Sequence, residues 1–128
     1  MKYLDIAIRE LVNAEDKDKR LSTYHCAVIV SGGRVISVGK NKYKYHEMME
    51  AFSHSNFTCT IHAEADAVLR ARNKRDLTGS KIYVARLGKN GKIGMSAPCK
   101  TCTAILQAYG IKKAYYTVDE NEYAVTKI

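Results

Sequence analysis

The chain has 128 residues, 46% of them hydrophobic, and 21 Lys and Arg against 13 Asp and Glu give it a net charge of +8. That length fits one domain, residues 1–128, burying roughly two thirds of its unfolded surface, and the charge favours phosphate-bearing partners without separating one phosphate from many. Lys2, Asp5, Arg9 and Glu10 interrupt the apolar start a signal peptide would need and no later run reaches membrane-spanning length, so a cytoplasmic chain with no membrane contact and reduced cysteines is expected.

Leu4, Ala7, Ile8 and Leu11 recur at helical spacing, which predicts an amphipathic helix over the first dozen residues. Asn13 to Tyr24 is charged, and its mixed run Glu15-Asp16-Lys17-Asp18-Lys19-Arg20 reads as solvated loop. Cys26–Val30 and Arg34–Val38 flank Ser31-Gly32-Gly33, the pattern of two strands joined by a tight hairpin. Lys40 to His46 then interleaves bases and aromatics. Such a run suits a nucleotide phosphate or a tracked single strand, or equally a solvated strand edge whose lysines discourage aggregation.

A helix is expected from about Ile61 to Asn73, with Arg70, Arg72, Lys74 and Arg75 at its end complementing the helix dipole. Ile82–Ala85 reads as a buried strand and the glycine-rich Gly88–Met95 as a turn. A second helix runs from Cys99 to Tyr109, where Gly110 stops it. Lys113–Thr117 forms another strand, and a turn at Val118–Asn121 returns the chain as an antiparallel last strand, Tyr123–Thr126.

The chemistry-bearing residues are His62-Ala63-Glu64 and Pro98-Cys99-Lys100-Thr101-Cys102. One imidazole and two thiolates make three ligands for zinc, and a site with three protein ligands keeps a fourth place open for water. If His62 and Cys99 each open a helix, the unpaired amides and positive dipole ends there favour thiolate and hydroxide. Cys99 and Cys102, three apart, then share one helix face. Glu64, two residues after the His, stands near the metal without binding it. Against this, a lone Cys-x-x-Cys also serves as a redox pair, and a closed structural zinc site would draw a fourth ligand from His25, Cys26, His46, His54 or Cys59.

His-x-Glu followed by Pro-Cys-x-x-Cys is the signature of zinc-dependent nucleobase deaminases, and through most of its length the chain resembles the cytidine and deoxycytidylate deaminase superfamily. The resemblance implies a three-layer α-β-α sandwich with a central mixed sheet of about five strands. It implies one catalytic zinc on His62, Cys99 and Cys102, with Glu64 as the catalytic proton shuttle of a hydrolytic deamination. It also implies substrate contacts: Asn41 in Gly39-Lys40-Asn41 to the sugar, the backbone of Ala63 to the base, the carbonyl of Ser96 to the departing amino group, and Ala27 as a small pocket-wall residue. Cys26 stands where many relatives have Gly, a departure that would tighten that wall. Deoxycytidylate deaminases often carry an extra zinc before the zinc helix. Here His46, His54 and Cys59 lack a compact spacing, so no second ion is expected.

His as the first ligand resembles deoxycytidylate deaminases, transfer-RNA adenosine deaminases and polynucleotide cytosine deaminases. The antiparallel last strand resembles free-nucleoside enzymes instead. Together they favour a free cytosine nucleotide or nucleoside as the small-molecule substrate, with dCMP the leading candidate and nucleic acid the less favoured partner. The alternatives are a polynucleotide deaminase acting on RNA or single-stranded DNA, and a zinc-stabilised binding module without chemistry. Apolar strand faces and the resemblance imply a homo-oligomer.

Overall fold

A computed structural model describes residues 1–15, 17–53 and 60–128. Its elements are α1 Lys2–Val12, β1 Thr23–Ser31, β2 Arg34–Lys40, α2 Glu47–Phe52, α3 Ala63–Ala71, β3 Lys81–Gly88, β4 Ile93–Gly94, α4 Lys100–Ala108, β5 Lys113–Thr117 and β6 Tyr123–Lys127. The strands form one mixed sheet in the order β2-β1-β3-β5-β6, with the short β4 pairing beside β3. β3 and β5 run parallel and every other pairing is antiparallel, including the direct return of β6 along β5.

β1 lies inside the sheet with both faces covered, which is why Cys26 to Val30 is an unbroken apolar run instead of an alternating one. The hairpin to β2 turns on Gly32 and Gly33, whose φ of +58° and +75° only glycine adopts without strain. On one face α1 buries Leu4, Ala7 and Leu11 against Cys26, Val28, Tyr83 and Leu87. On the other, α2, α3 and α4 pack over Ala27, Ile29, Ile82 and Val84. The result is the expected α-β-α sandwich around a central mixed sheet.

Three elements depart from the sequence expectation. α3 starts later than Ile61, because Ile61 is held extended by a bridge to Lys42 and His62 caps the helix with φ −78° and ψ 154°. α2 was not expected. It is capped by His46, whose ring nitrogen accepts from the Met48 N–H at 3.0 Å, and Met48 and Met49 bury themselves in the core. The Gly88–Met95 turn contains β4, in register with Arg86 and Leu87. Among the described residues no helix is long and apolar enough to cross a membrane.

Candidate metal centre and substrate cavity

His62 is the N-cap of α3 and Cys99 the N-cap of α4, so both helices begin at the same place with their unpaired amides turned towards it. Cys99 Sγ accepts from the Cys102 N–H at 3.5 Å, a cap that fixes the thiol over the first turn. His62 Nδ1 lies 3.6 Å from Cys99 Sγ and 3.3 Å from Cys102 Sγ, and the three ligand atoms all fall within 4.8 Å of one another. Tetrahedral bonding to zinc, with metal–sulfur and metal–nitrogen bonds near 2.3 and 2.05 Å, separates nitrogen from sulfur by about 3.6 Å. The residues therefore fit the ion with little movement. Among the described residues no fourth His, Cys, Asp or Glu joins this group, which argues for an open site; His54 and Cys59 lie outside the described residues. Cys26 is fully buried on the opposite face of the sheet, under α1, so it neither closes the site nor tightens its wall.

The charges of the cluster are coupled. The Cys102 thiol beside Cys99, together with the His62 ring, draws the Cys99 thiol down to about 3. Cys102 moves the other way, well up, because it donates to Cys99 and is buried. The Cys99 contact raises His62. Glu64, in the first turn of α3, is 5% exposed, and burial pushes its carboxyl up. Loss of hydration penalises the charged form, and the residue's own backbone N–H and the neighbouring imidazole offset only part of that cost.

Two anchors hold α3 and α4 in place. On α3, Asp66 accepts from the Lys40 N–H at 3.0 Å and pairs with Lys42 and Arg70 at 3.2 and 3.1 Å, while its neighbour Ala67 accepts from Ser37 Oγ at 2.7 Å. Before α4, the Ser96 hydroxyl donates to the Val84 carbonyl at 2.7 Å and meets Thr117 Oγ1 at 2.8 Å. The Ser96 N–H also reaches the Thr117 carbonyl at 2.9 Å, which ties the approach to Pro98-Cys99 to β3 and β5. Of the basic residues closing α3, Arg70 pairs within the helix and Arg72 reaches the Tyr109 hydroxyl, a structural role as expected.

A cavity of about 410 Å³ opens on the cluster, within the range of small-molecule sites. His62, Glu64, Cys99, Ser96 and Asn41 all line it. Ala63 and Ala27 do not. Ala63 is buried in the first turn of α3, and Ala27 packs in the core with Ile29 and Val84. The Asn41 amide is already engaged: its Oδ1 accepts from the His25 N–H and its Nδ2 donates to the Thr23 carbonyl, both at 2.8 Å. That bridge binds the end of β2 to the start of β1 and leaves one N–H and one lone pair for other partners.

Sequence reasoning did not place Arg20 and His25 in this wall, nor Leu21, Ser22, Thr23, Thr60 and Ala97, whereas Tyr43 falls in the run from Lys40 to His46 already singled out. Arg20, read as solvated loop, stacks over the Tyr43 ring at 4.5 Å and takes Asp18 in a forked contact with a closest approach of 2.7 Å. That contact draws the half-buried Asp18 carboxyl down to about 2. Only the alternation of bases and aromatics after β2 pointed towards this rim. Lys40 and Lys42 in that stretch pair with Glu10 and Asp66, and His46 caps α2.

A family model described as the cytidine and deoxycytidylate deaminase zinc-binding region matches residues 1–118. No curated protein matches the sequence. Among solved structures, the chain is similar to the dCMP deaminase of the cyanophage S-TIM5 in apo form, with a TM-score of 0.61 at 21% identity over 91% of this chain and 80% of that one. The same phage enzyme in complex with dCMP and dUMP aligns with a TM-score of 0.57 at 21% identity, over 90% of this chain and 77% of that one.

Proposed function

Because this chain belongs to the cytidine and deoxycytidylate deaminase zinc-binding family, we propose that residues 1–128 form one catalytic domain that hydrolytically deaminates the cytosine base of a free nucleotide or nucleoside, dCMP to dUMP being the leading candidate. The observation that carries the reading is Glu64, buried in the cavity that the His62, Cys99 and Cys102 cluster opens on. A zinc ion on those three residues supplies Lewis acidity that brings the ionisation of water near neutral pH.

Glu64 takes a proton from the attacking water and delivers it to the ring nitrogen, which makes the amino-bearing carbon more electrophilic. The same carboxylate then takes the second proton from the hydroxyl added to that carbon and passes it to the amino group, so that the carbon–nitrogen bond breaks as the oxo group forms. Water and the amino base thus become ammonia and the oxo base. General acid–base transfer of this kind contributes roughly 10²- to 10⁴-fold in rate. Ser96, pinned by its own hydroxyl and N–H, holds its backbone at the cavity wall where the leaving amino group would sit.

A single nucleotide is favoured over a polymer because two of the three lysines in the run from Lys40 to His46, Lys40 and Lys42, are paired within the protein. The similar phage enzyme, whose complex holds dCMP and dUMP, supports the same substrate. A homo-oligomer belongs to the reading too, since β6 ends the sheet with Tyr123 and Val125 each 52% exposed.

The test is ammonia release by zinc-loaded protein on dCMP, deoxycytidine, cytidine, dCTP, single-stranded DNA and transfer RNA. Turnover of dCMP is expected, with Glu64→Ala retaining zinc and losing nearly all activity. An active Glu64→Ala variant, or turnover of polymers alone, refutes the proposal.

A further inference from the structure

The sheet ends at β6, which pairs on one side only. The Val118 N–H donates to the Glu122 carbonyl at 2.9 Å, and the Ile128 N–H to the Lys112 carbonyl at 3.0 Å. Antiparallel ladders alternate along the strand, so Ala124 and Thr126 bond to β5 while Tyr123, Val125 and Lys127 turn their N–H and C=O groups outward. Among the described residues those outward groups meet only the Thr126 hydroxyl, which reaches the Lys127 carbonyl at 3.3 Å. The other edge, β2, carries an irregularity: Ile36 is left over between the Ile29–Ser37 and Val30–Val35 pairs, and such bulges turn an edge away from further strands. β6 keeps unbroken register from Tyr123 to Lys127 and contains no proline.

Tyr123, Val125 and Lys127 also share one face of the sheet, because side chains alternate along a strand. It is the face that carries α1. Tyr83, in the core beneath α1, stacks on Tyr115 at 4.7 Å, and Tyr115 is the register partner of Val125. Tyr123 and Val125 extend this apolar row into solvent. The two ends of β6 differ in charge. Asp119, Glu120 and Glu122 crowd the turn that enters it, and Lys112, Lys113 and Lys127 gather where it ends, with none of the six in an ion pair among the described residues. A second copy laid antiparallel along β6 sets the acidic turn of each chain against the lysines of the other, whereas a parallel copy sets like against like.

We propose that two copies of this chain join β6 to β6, antiparallel about a two-fold axis at Val125, so that one sheet runs through both. Val125 then pairs with its own counterpart and Tyr123 with Lys127 of the other copy, each pair exchanging both of its backbone hydrogen bonds. The Tyr115–Val125 row continues across the join, and Tyr123 lies along the methylene stem of the facing lysine. The inference rests on the homo-oligomer of the reading above and gives it a geometry; it does not depend on the chemistry at the metal centre. Five residues of strand make a small interface, so the association is one that dissociates on dilution.

Sedimentation velocity over a range of concentrations, on the zinc-loaded 128-residue chain, tests it, with circular dichroism to show that each variant is folded. Wild type should self-associate reversibly. Val125→Pro removes only an outward N–H, a change edge strands tolerate, and should weaken association by about tenfold or more, because both hydrogen bonds of the central pair are lost. Tyr123→Lys sets like charges opposite each other and should weaken it as well. Adding Lys127→Glu to Tyr123→Lys should restore association, a rescue specific to this register, and this pair of variants decides the matter if Val125→Pro does not fold. Association that folded Val125→Pro or Tyr123→Lys leaves unchanged, or that Lys127→Glu fails to rescue, overturns the inference while the homo-oligomer stands. A wild type that is monomeric at every concentration overturns both, and ammonia release then still judges the deaminase separately.

Discussion

Gly39→Ala should damage fold and site together. Gly39, in β2, lies directly beneath α3. A Cβ there would collide with the Ala67 nitrogen and the Ala63 carbonyl oxygen and would stand 2.8 Å from the Ala67 Cα. Carbon atoms settle at roughly 3.5–4.0 Å, so the helix would have to lift by about 1 Å. Every colliding atom is backbone, so no rotamer change relieves the contact. Overpacking of this kind costs about 1–3 kcal/mol. Each kcal/mol lowers the melting temperature of a chain this size by about 3–6 °C.

The displacement also strains the Ser37 to Ala67 and Lys40 to Asp66 hydrogen bonds, 2.7 and 3.0 Å long, that hold α3 to β2. It moves His62 and Glu64 with the helix, and a misplacement of about 1 Å is enough to cost on the order of a hundredfold in rate. Thermal unfolding, zinc content and kcat on dCMP measure the three consequences. A Gly39→Ala protein with wild-type Tm and kcat would refute the idea that the close approach of α3 to β2 sets the geometry of the centre.

Asp66→Ala should cost about 1–3 kcal/mol, because it leaves the Lys40 N–H without its acceptor. Asp66→Asn should cost less, since its amide oxygen keeps that bond and the two lost ion pairs involve exposed cations that contribute little. Equal losses in urea unfolding would refute that division. His25, with a folded pKa of about 4 against about 6.5 unfolded, binds fewer protons folded than unfolded between those values. Its contribution is therefore full above pH 6.5 and lost progressively towards pH 4, up to about 3 kcal/mol in all. Unfolding at pH 7 and pH 5 should show a steeper loss for wild type than for His25→Leu, and parallel slopes would count against a buried neutral imidazole. Iodoacetamide followed by mass spectrometry should label exposed Cys99 in chelator-treated protein and spare it in zinc-loaded protein. Cys26, fully buried with its thiol pushed up to about 12, should stay unlabelled in both; labelling of Cys26 ahead of Cys99 would contradict their placement.

The metal cluster could be read in the sequence because its determinants are local. Cys99 and Cys102 share a helical turn, and both His62 and Cys99 double as N-caps, so the positions that start the helices are the ones that face each other. The same holds for β5 and β6, whose short connection permits little except an antiparallel return. The substrate wall is different, because it is assembled from segments that meet only when the sheet forms. Arg20 and Asp18 form a charged loop until Tyr43, from beyond β2, comes to lie beneath the guanidinium. Asn41 looks like a residue with a free amide until the start of β1 takes up its oxygen and one of its N–H groups. His46 looks like a metal ligand until Met48 uses its ring nitrogen as a helix cap. In each case spacing identifies a side chain that can make a bond, while the fold decides which bond it makes.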